Sequence, residues 1–466
     1  MNNKTKLKLL IALFIVMSFG LLAQAQNPGT LKSCEDFKSK VLKEGLVQTG
    51  KIKVPMLYNS KKIFKSEMSV FYWVKKGTDS TKVPILLIHG GPGGNSWRYY
   101  EAFKKQSYAG DIISIDNRNE GCSHVKDYNL SPVDTDYIKA TSAAYEPFRN
   151  RNIVRDVEAL RKKLYPDQPK RKWRVFGQSR GAAIAHMYLE MFPESLESIQ
   201  TQGFAMLEER NIERYTYMRS RYNANGSNEF ELKFPEAALV LKKAKNYFQE
   251  QKICLPMNLD MMNLPVEQRP TVCGALITDS ISYKLSNYSR WGDISNSLLA
   301  LKTADGELDT QKTLANFQNE INGNIYVQYM NYIMGTNGQD VGSPAPRNFD
   351  EVLSDGFITG ALISEGRFVA SAVYPAYLKM GYPSMKGSGD QLDFAKVKKF
   401  LVGYRSKYGK NFEFYLFSSI FDTIAGPEMY NYETKIFGNL VQFKILKNSG
   451  HEAWQTEPEL QSILFR

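Results

Sequence analysis

Between Lys51 and Gln202, apolar runs the length of single strands alternate with stretches of helical periodicity. That alternation limits the fold more than any other feature. Val83 to Ile88 (VPILLI) and Asp111 to Ile115 (DIISI) are continuous apolar runs, and Met68 to Val74 alternates toward a strand. Trp173 to Phe176 and Ser195 to Thr201 return to strand character. In between, Ile153 to Leu164 sets Val154, Val157, Leu160 and Leu164 on one helical face, leaving Arg155, Glu158, Arg161 and Lys162 outside, and Ala182 to Met191 is also helical. Strands lacking a polar face need cover on both sides, so the pattern predicts an α/β fold with a mostly parallel sheet and helices on both faces.

After Gly203 the pattern changes. Residues 203–403 read as helices and loops rich in Tyr, Asn, Ser and Met, and strands resume with Asn411 to Ser418 (NFEFYLFS) and Val441 to Leu446 (VQFKIL). A chain of 466 residues exceeds the ~250–300 that one hydrophobic core organises. The expected division is a core in two parts, 51–202 and 404–466, interrupted by a large, mainly helical cap at 203–403. Residues 26–50 form a lead-in. With 33 Gly and 19 Pro, collagen-like and low-complexity classes are excluded.

Residues 1–25 carry a different signal. Lys4, Lys6 and Lys8 precede the apolar run Leu9 to Ala23, which ends in Ala23-Gln24-Ala25. That order predicts a secretory signal peptide cleaved before Gln26. As a helix the run spans about 22 Å, short of the ~30 Å hydrocarbon core, so no stable membrane anchor is expected after cleavage. The mature protein is expected in the periplasm or outside the cell. Export permits disulfides, and Cys254 and Cys273 are spaced to close a local loop; the pairing of Cys34 and Cys122 stays open. No cysteine pair has metal-ligand spacing, so neither a metal nor a cofactor is expected.

The net charge of +12 raises the question of nucleic acid. The basic residues are scattered, however, and the densest tract, Lys170 to Arg174, directly precedes an apolar strand with no nucleic-acid motif beside it. A nucleic-acid partner is not expected.

Chemistry concentrates at Gly177-Gln178-Ser179-Arg180-Gly181, where a strand meets a helix. Flanking glycines permit a sharp turn that exposes a strained serine. A serine hydroxyl needs a base, and the four histidines are His89, His124, His186 and His451. His186 lies two turns down the same helix, which carries it away. Only His451 comes late enough for the order serine, acid, histidine. Asp422 follows the penultimate strand and is preferred as the orienting acid over Asp393, Glu413 and Glu428. The glycines of His89-Gly90-Gly91-Pro92-Gly93-Gly94 offer backbone N–H groups to an oxyanion, together with the N–H of Arg180. The loop has neither the G-K-[ST] nor the G-x-G-x-x-G pattern of nucleotide sites.

HGGPGG, then Asp116-Asn117-Arg118-Asn119-Glu120-Gly121-Cys122-Ser123, then GQSRG resemble the proline iminopeptidase group of α/β-hydrolase serine peptidases. The resemblance covers 83–203 well and 411–454 moderately. It implies a triad of Ser179, Asp422 and His451, with Gly91 and Arg180 as oxyanion donors. Asn117 and Asn119 depart from the Gln and Gly usual in the second motif. The insertion lacks the group's usual acidic motifs for the substrate amine, and Glu208 and Glu209 are the nearest candidates for that role. The expected activity is a secreted aminopeptidase acting on short peptides with a free N-terminus. The alternative is a carboxylic ester hydrolase using the same triad on small esters.

Overall fold

The apolar runs at Ile85–Ile88 and Ile112–Ile115 are wholly buried and lie side by side in register at the middle of a sheet. The computed structural model describes residues 34–58, 67–91, 94–118, 120–123, 149–204, 229–257, 271–285, 287–333, 392–422 and 425–466. The expected signal peptide, His124, Glu208 and Glu209 lie outside the described residues. Two units are formed, Met1–Leu46 and Val47–Arg466. The first holds a helix, Cys34–Glu44.

The second unit carries an eight-stranded sheet. In chain order its strands are β1 (Gln48–Pro55), β2 (Glu67–Lys75), β3 (Ile85–Ile88), β4 (Ile112–Ile115), β5 (Trp173–Gln178) and β6 (Leu196–Gln202). A hairpin of β7 (Cys254–Pro256) and β8 (Thr271–Cys273) stands apart, and β9 (Glu413–Ser419) and β10 (Gln442–Leu446) complete the sheet. The spatial order is β1-β2-β4-β3-β5-β6-β9-β10. The β1–β2 and β2–β4 pairings are antiparallel, and all others are parallel. β1 is additional to the strands expected from sequence. It buries Ile52 and Val54 while Lys51 and Lys53 face solvent, a half-buried edge pattern.

The helix Asn150–Leu164 buries Ile153, Val154, Val157 and Leu160, and it packs on the helix Arg180–Met191. Its other face differs from expectation. Glu158 and Arg161 are buried, not solvated. The Arg161 guanidinium grips both Glu158 oxygens, Nε at 2.9 Å and Nη2 at 2.8 Å, and the Tyr188 hydroxyl donates to the same carboxylate at 2.8 Å. A fork-to-fork pair with its remaining lone pairs satisfied can be covered by a neighbouring helix, as an isolated charge cannot.

Between β6 and β9 the described residues form helices, among them Pro235–Glu250, Trp291–Leu299 and Thr310–Ile333, and the small β7–β8 hairpin. A disulfide joins Cys254 to Cys273 across that hairpin. Buried Trp291 packs edge-on against Phe230 and Tyr288, with ring centroids 5.6 and 4.9 Å away. The helix Phe394–Tyr408 crosses the expected boundary at 403. Asp393 caps its start, accepting from the Lys396 N–H at 2.9 Å, and Gly409 ends it with a left-handed φ of 65°. Phe394 packs at a tilt against Phe437, ring centroids 5.8 Å apart, and the Asp393 N–H donates to Glu190, so this helix lies against the sheet-covering layer.

Candidate active site

Ser179 sits between the last residue of β5 and the first of the helix Arg180–Met191, with φ 54° and ψ −125°. Among the described non-glycine residues only Lys252 shares a positive φ. Such backbone costs about 1–3 kcal/mol and persists only where the surroundings enforce it. Here the enforcement is close packing. A Cβ on Gly181 would stand 2.1 Å from the Ile88 carbonyl oxygen, and one on Gly177 would stand 2.2 Å from that of Gly181. The two glycines let the helix drop onto the ends of β3 and β5. Ser179 is half-buried while its neighbours on both sides are buried, so the turn lifts this side chain out of the core.

His451 and Asp422 come together from the loops after β10 and β9. The imidazole Nδ1 lies 2.9 Å from Asp422 Oδ2, so Nδ1 carries the proton and donates. Asp422 is fully buried, and its Oδ1 accepts from the Ala425 N–H at 2.8 Å. The two loops clasp each other: Phe421 N–H donates to the Ser449 carbonyl at 3.2 Å, and Ser449 Oγ donates to Ser419 Oγ at 3.2 Å. The Tyr430 hydroxyl donates to the Phe417 carbonyl and accepts from the Phe204 N–H. Burial pushes its pKa well up, and the nearby carboxylates of Asp422 and Glu433 add to the shift, so Tyr430 stays neutral.

Two glutamines join the histidine loop to the serine turn. The side-chain amides of Gln178 and Gln202 each donate to the His451 carbonyl at 3.0 Å, and the Gln202 carbonyl accepts from the Ser179 N–H at 2.8 Å. Gly203 lies directly under the imidazole: a Cβ there would be 3.0 Å from His451 Nδ1 and 3.4 Å from Asp422 Oδ2. Ser179, Asp422 and His451 thus gather at the C-terminal ends of β5, β6 and β9, where open α/β sheets place their ligands. Neither Gln178 nor Gln202 stands out from sequence alone. The available signal was a polar side chain at the end of each buried strand.

The glycine-rich loop borders the same point. A Cβ on Gly90 would come within 2.8 Å of Ser179 Cβ. Pro92 and Gly93 lie outside the described residues. His89 is structural: its Nε2 accepts from the Asn117 N–H at 3.2 Å, and its Nδ1 donates to the Gly90 carbonyl at 2.6 Å. Arg180 is buried, with Nη1 2.7 Å from Glu120 Oε1 and Nε 3.0 Å from Asn150 Oδ1. Asp116 accepts from the N–H groups of Ser96 and Cys122 at 2.7 and 2.6 Å. Burial raises its pKa, and these two donors oppose the rise.

The competing candidates are engaged elsewhere. Buried His186 lies between the Ala182 carbonyl, 2.7 Å from Nδ1, and Glu433, 3.2 Å from Nε2. Asp393 is the helix cap already described, Glu413 pairs with Arg466 at 2.6 Å, and the Glu428 side chain lies outside the described residues. Among the described residues no group of three His, Cys, Asp or Glu side chains converges as metal ligands would.

Comparison with known proteins follows the same lines. A proline iminopeptidase of Aspergillus aculeatus is 30% identical over 191 residues, covering 38% of this chain and 41% of its own. One of Aeromonas sobria is 28% identical over 195 residues, covering 40% and 42%. The chain therefore spans less than half the length of these curated relatives. A solved carboxyl esterase of Bacillus coagulans aligns over 90% of this chain and 95% of its own, with 13% identity and a TM-score of 0.36. The model of the alpha/beta hydrolase fold family matches residues 83–458. That match runs from just before β3 to the helix beginning at Pro458 and takes in six of the eight strands of the sheet together with Ser179, Asp422 and His451. The chain belongs to the α/β-hydrolase fold family.

Proposed function

We propose that this protein is an exported serine hydrolase that removes N-terminal residues from short peptides. The observation that carries the proposal is a strained, half-buried Ser179 beside a histidine whose carbonyl is held by the residue preceding that serine, and whose ring is bonded to a buried carboxylate. Ser179 Oγ attacks the carbonyl of the first peptide bond while its proton passes to His451 Nε2. Asp422 holds the tautomer and stabilises the imidazolium. The N–H groups of Gly91 and Arg180 receive the oxyanion, at ~3–4 kcal/mol for each donor in the transition state. The C–N bond then breaks, the shortened peptide leaves with the proton from His451, and water repeats the sequence on the acyl-enzyme.

The peptide preference rests on the iminopeptidase relatives, and export rests on the apolar N-terminal run and the Cys254–Cys273 disulfide.

Purified protein is offered free-amine aminoacyl anilides, N-blocked anilides and aryl esters, with Ser179→Ala as control. Turnover of free-amine anilides above the other two is the expected result. Ester turnover without anilide turnover sinks the peptidase reading in favour of the esterase one. Equal rates on blocked and free amines sink the aminopeptidase claim, and no turnover of anything sinks the enzyme.

A further inference from the structure

The two backbone donors assigned to the oxyanion come from segments about ninety positions apart in sequence, the β3 loop and the start of the nucleophile helix. Side chains connect them through the interior. Arg180 Nη1 donates to Glu120 Oε1 at 2.7 Å, and Asn117 Nδ2 donates to the other oxygen, Oε2, at 2.9 Å. The Asn117 N–H donates to His89 Nε2 at 3.2 Å, and His89 Nδ1 donates to the Gly90 carbonyl at 2.6 Å. Gly90 packs against Ser179 and precedes Gly91. Every side chain in this chain of bonds is buried. Asn150 fixes the Arg180 guanidinium from a second side through Nε.

We propose that Glu120, Asn117 and the Arg180 side chain are positioning residues that set the separation of the two oxyanion donors. The inference rests on the serine-hydrolase reading. A buried ion pair is a poor source of net stability, because desolvating two charges consumes most of the Coulombic gain. It is a good source of geometry: Glu120 receives Arg180 on one oxygen and Asn117 on the other, so neither segment can shift without breaking a charge-assisted bond. Oxyanion stabilisation depends on donors fixed before charge develops, and displacements well below 1 Å are felt there.

The test uses a fluorophosphonate, whose reaction needs no knowledge of the natural substrate. Ser179 Oγ–P forms, P–F breaks, fluoride leaves and the hydroxyl proton passes to His451, with the phosphoryl oxygen occupying the oxyanion position. Asn117→Ala cuts the chain of bonds while leaving the Arg180–Glu120 pair in place. An Arg180→Met, Glu120→Leu double variant removes both charges together, so no buried charge is left unpaired. The expected second-order labelling rates fall about 10-fold in the first and about 100-fold in the second, with thermal midpoints close to the parent. The pH of half-maximal rate stays where it was, since the His451–Asp422 pair is untouched.

Parent-like labelling in a folded double variant overturns the positioning role. So does a rate loss accompanied by a shifted pH profile, which would place the damage at the histidine. A parent protein that fluorophosphonate does not label overturns the serine-hydrolase reading itself, and this inference with it.

Discussion

The side-chain amide of Gln178 donates to the main-chain carbonyl of His451 at 3.0 Å, joining residues 273 positions apart. Gln202 donates to the same oxygen at the same distance. One carbonyl with two lone pairs is thereby fully occupied, and the loop after β10 is seated on the ends of β5 and β6. The orientation of the imidazole is fixed from two directions: Asp422 holds the ring and the glutamines hold the backbone. Gln178→Ala and Gln202→Ala are each expected to cost ~1 kcal/mol of stability and to lower kcat about 10-fold. The double variant should lose more in kcat than either alone. A double variant with parent kcat would show that the loop is held by other contacts.

Ser179 sits in backbone that favours glycine. Ser179→Gly should abolish turnover while raising stability by ~1 kcal/mol, because the strain disappears with the side chain. Ser179→Ala should abolish turnover without that gain. Chemical denaturation of the two variants separates the cases, and equal midpoints would remove strain from the account of the turn.

Gly203 combines a φ of 72° with the His451 ring at contact distance. Gly203→Ala is expected to lower stability by ~1–2 kcal/mol and to reduce kcat well beyond its effect on KM, because the added methyl displaces the imidazole. An unchanged kcat would mean that the ring has room to move without consequence.

Arg118 and Asp156 form a buried pair, with Nε–Oδ2 2.5 Å and Nη2–Oδ1 2.7 Å. Tyr58 donates to the same carboxylate, and the guanidinium also reaches the carbonyls of Pro55 and Met56. Burial raises the Asp156 pKa, and Arg118 opposes that rise by charge and hydrogen bonding. Asp156→Ala leaves the buried guanidinium without its countercharge and should cost ~3–5 kcal/mol. Pairing it with Arg118→Met should restore much of the loss. If the pair of substitutions is as damaging as the single one, the unpaired charge is not the cause.

Glu158 supplies the pH prediction. Burial alone would raise its pKa, but hydrogen bonds from Arg161 and Tyr188 outweigh burial and hold the carboxyl below its ordinary value of 4.5. A lowered folded-state pKa means that unfolding favours proton uptake. The stabilisation is therefore complete above 4.5 and lost as pH falls through the lower folded-state value. Glu158→Gln should flatten the acid limb of a stability–pH curve. An acid limb identical to the parent's would show that other carboxylates govern it.

Much of the sheet was legible because its central strands are dominated by apolar residues. Ile85–Ile88 and Ile112–Ile115 could be buried nowhere except inside a covered sheet. β1 was less legible, since its apolar content is only two inward side chains between lysines. Ser179, Asp422 and His451 could be put forward together as a candidate triad because nucleophilic catalysis restricts residue types and the strand pattern restricts their order. The supports were harder. Glu158 and Arg161 read as surface charges because periodicity records polarity and says nothing of a partner on the next helix. Glu120 and the two glutamines act through residues far away in sequence, and no local pattern announces such a bond. Asp393, weighed from sequence only as an orienting acid, instead caps a helix by accepting from the Lys396 N–H.

The clasp between Ser449, Ser419 and the two glutamines also bears on when the protein becomes reactive. Ser179 lies in the first half of the chain, and its turn is built from β3, β5 and their helix. The base and its carboxylate arrive only when β9 and β10 have been added to the sheet edge and the loop behind them has docked. A partly synthesised or unfolded chain carries the serine without the means to ionise it. On the proposed mechanism, reactivity is thus a property of the completed sheet and not of the serine turn alone.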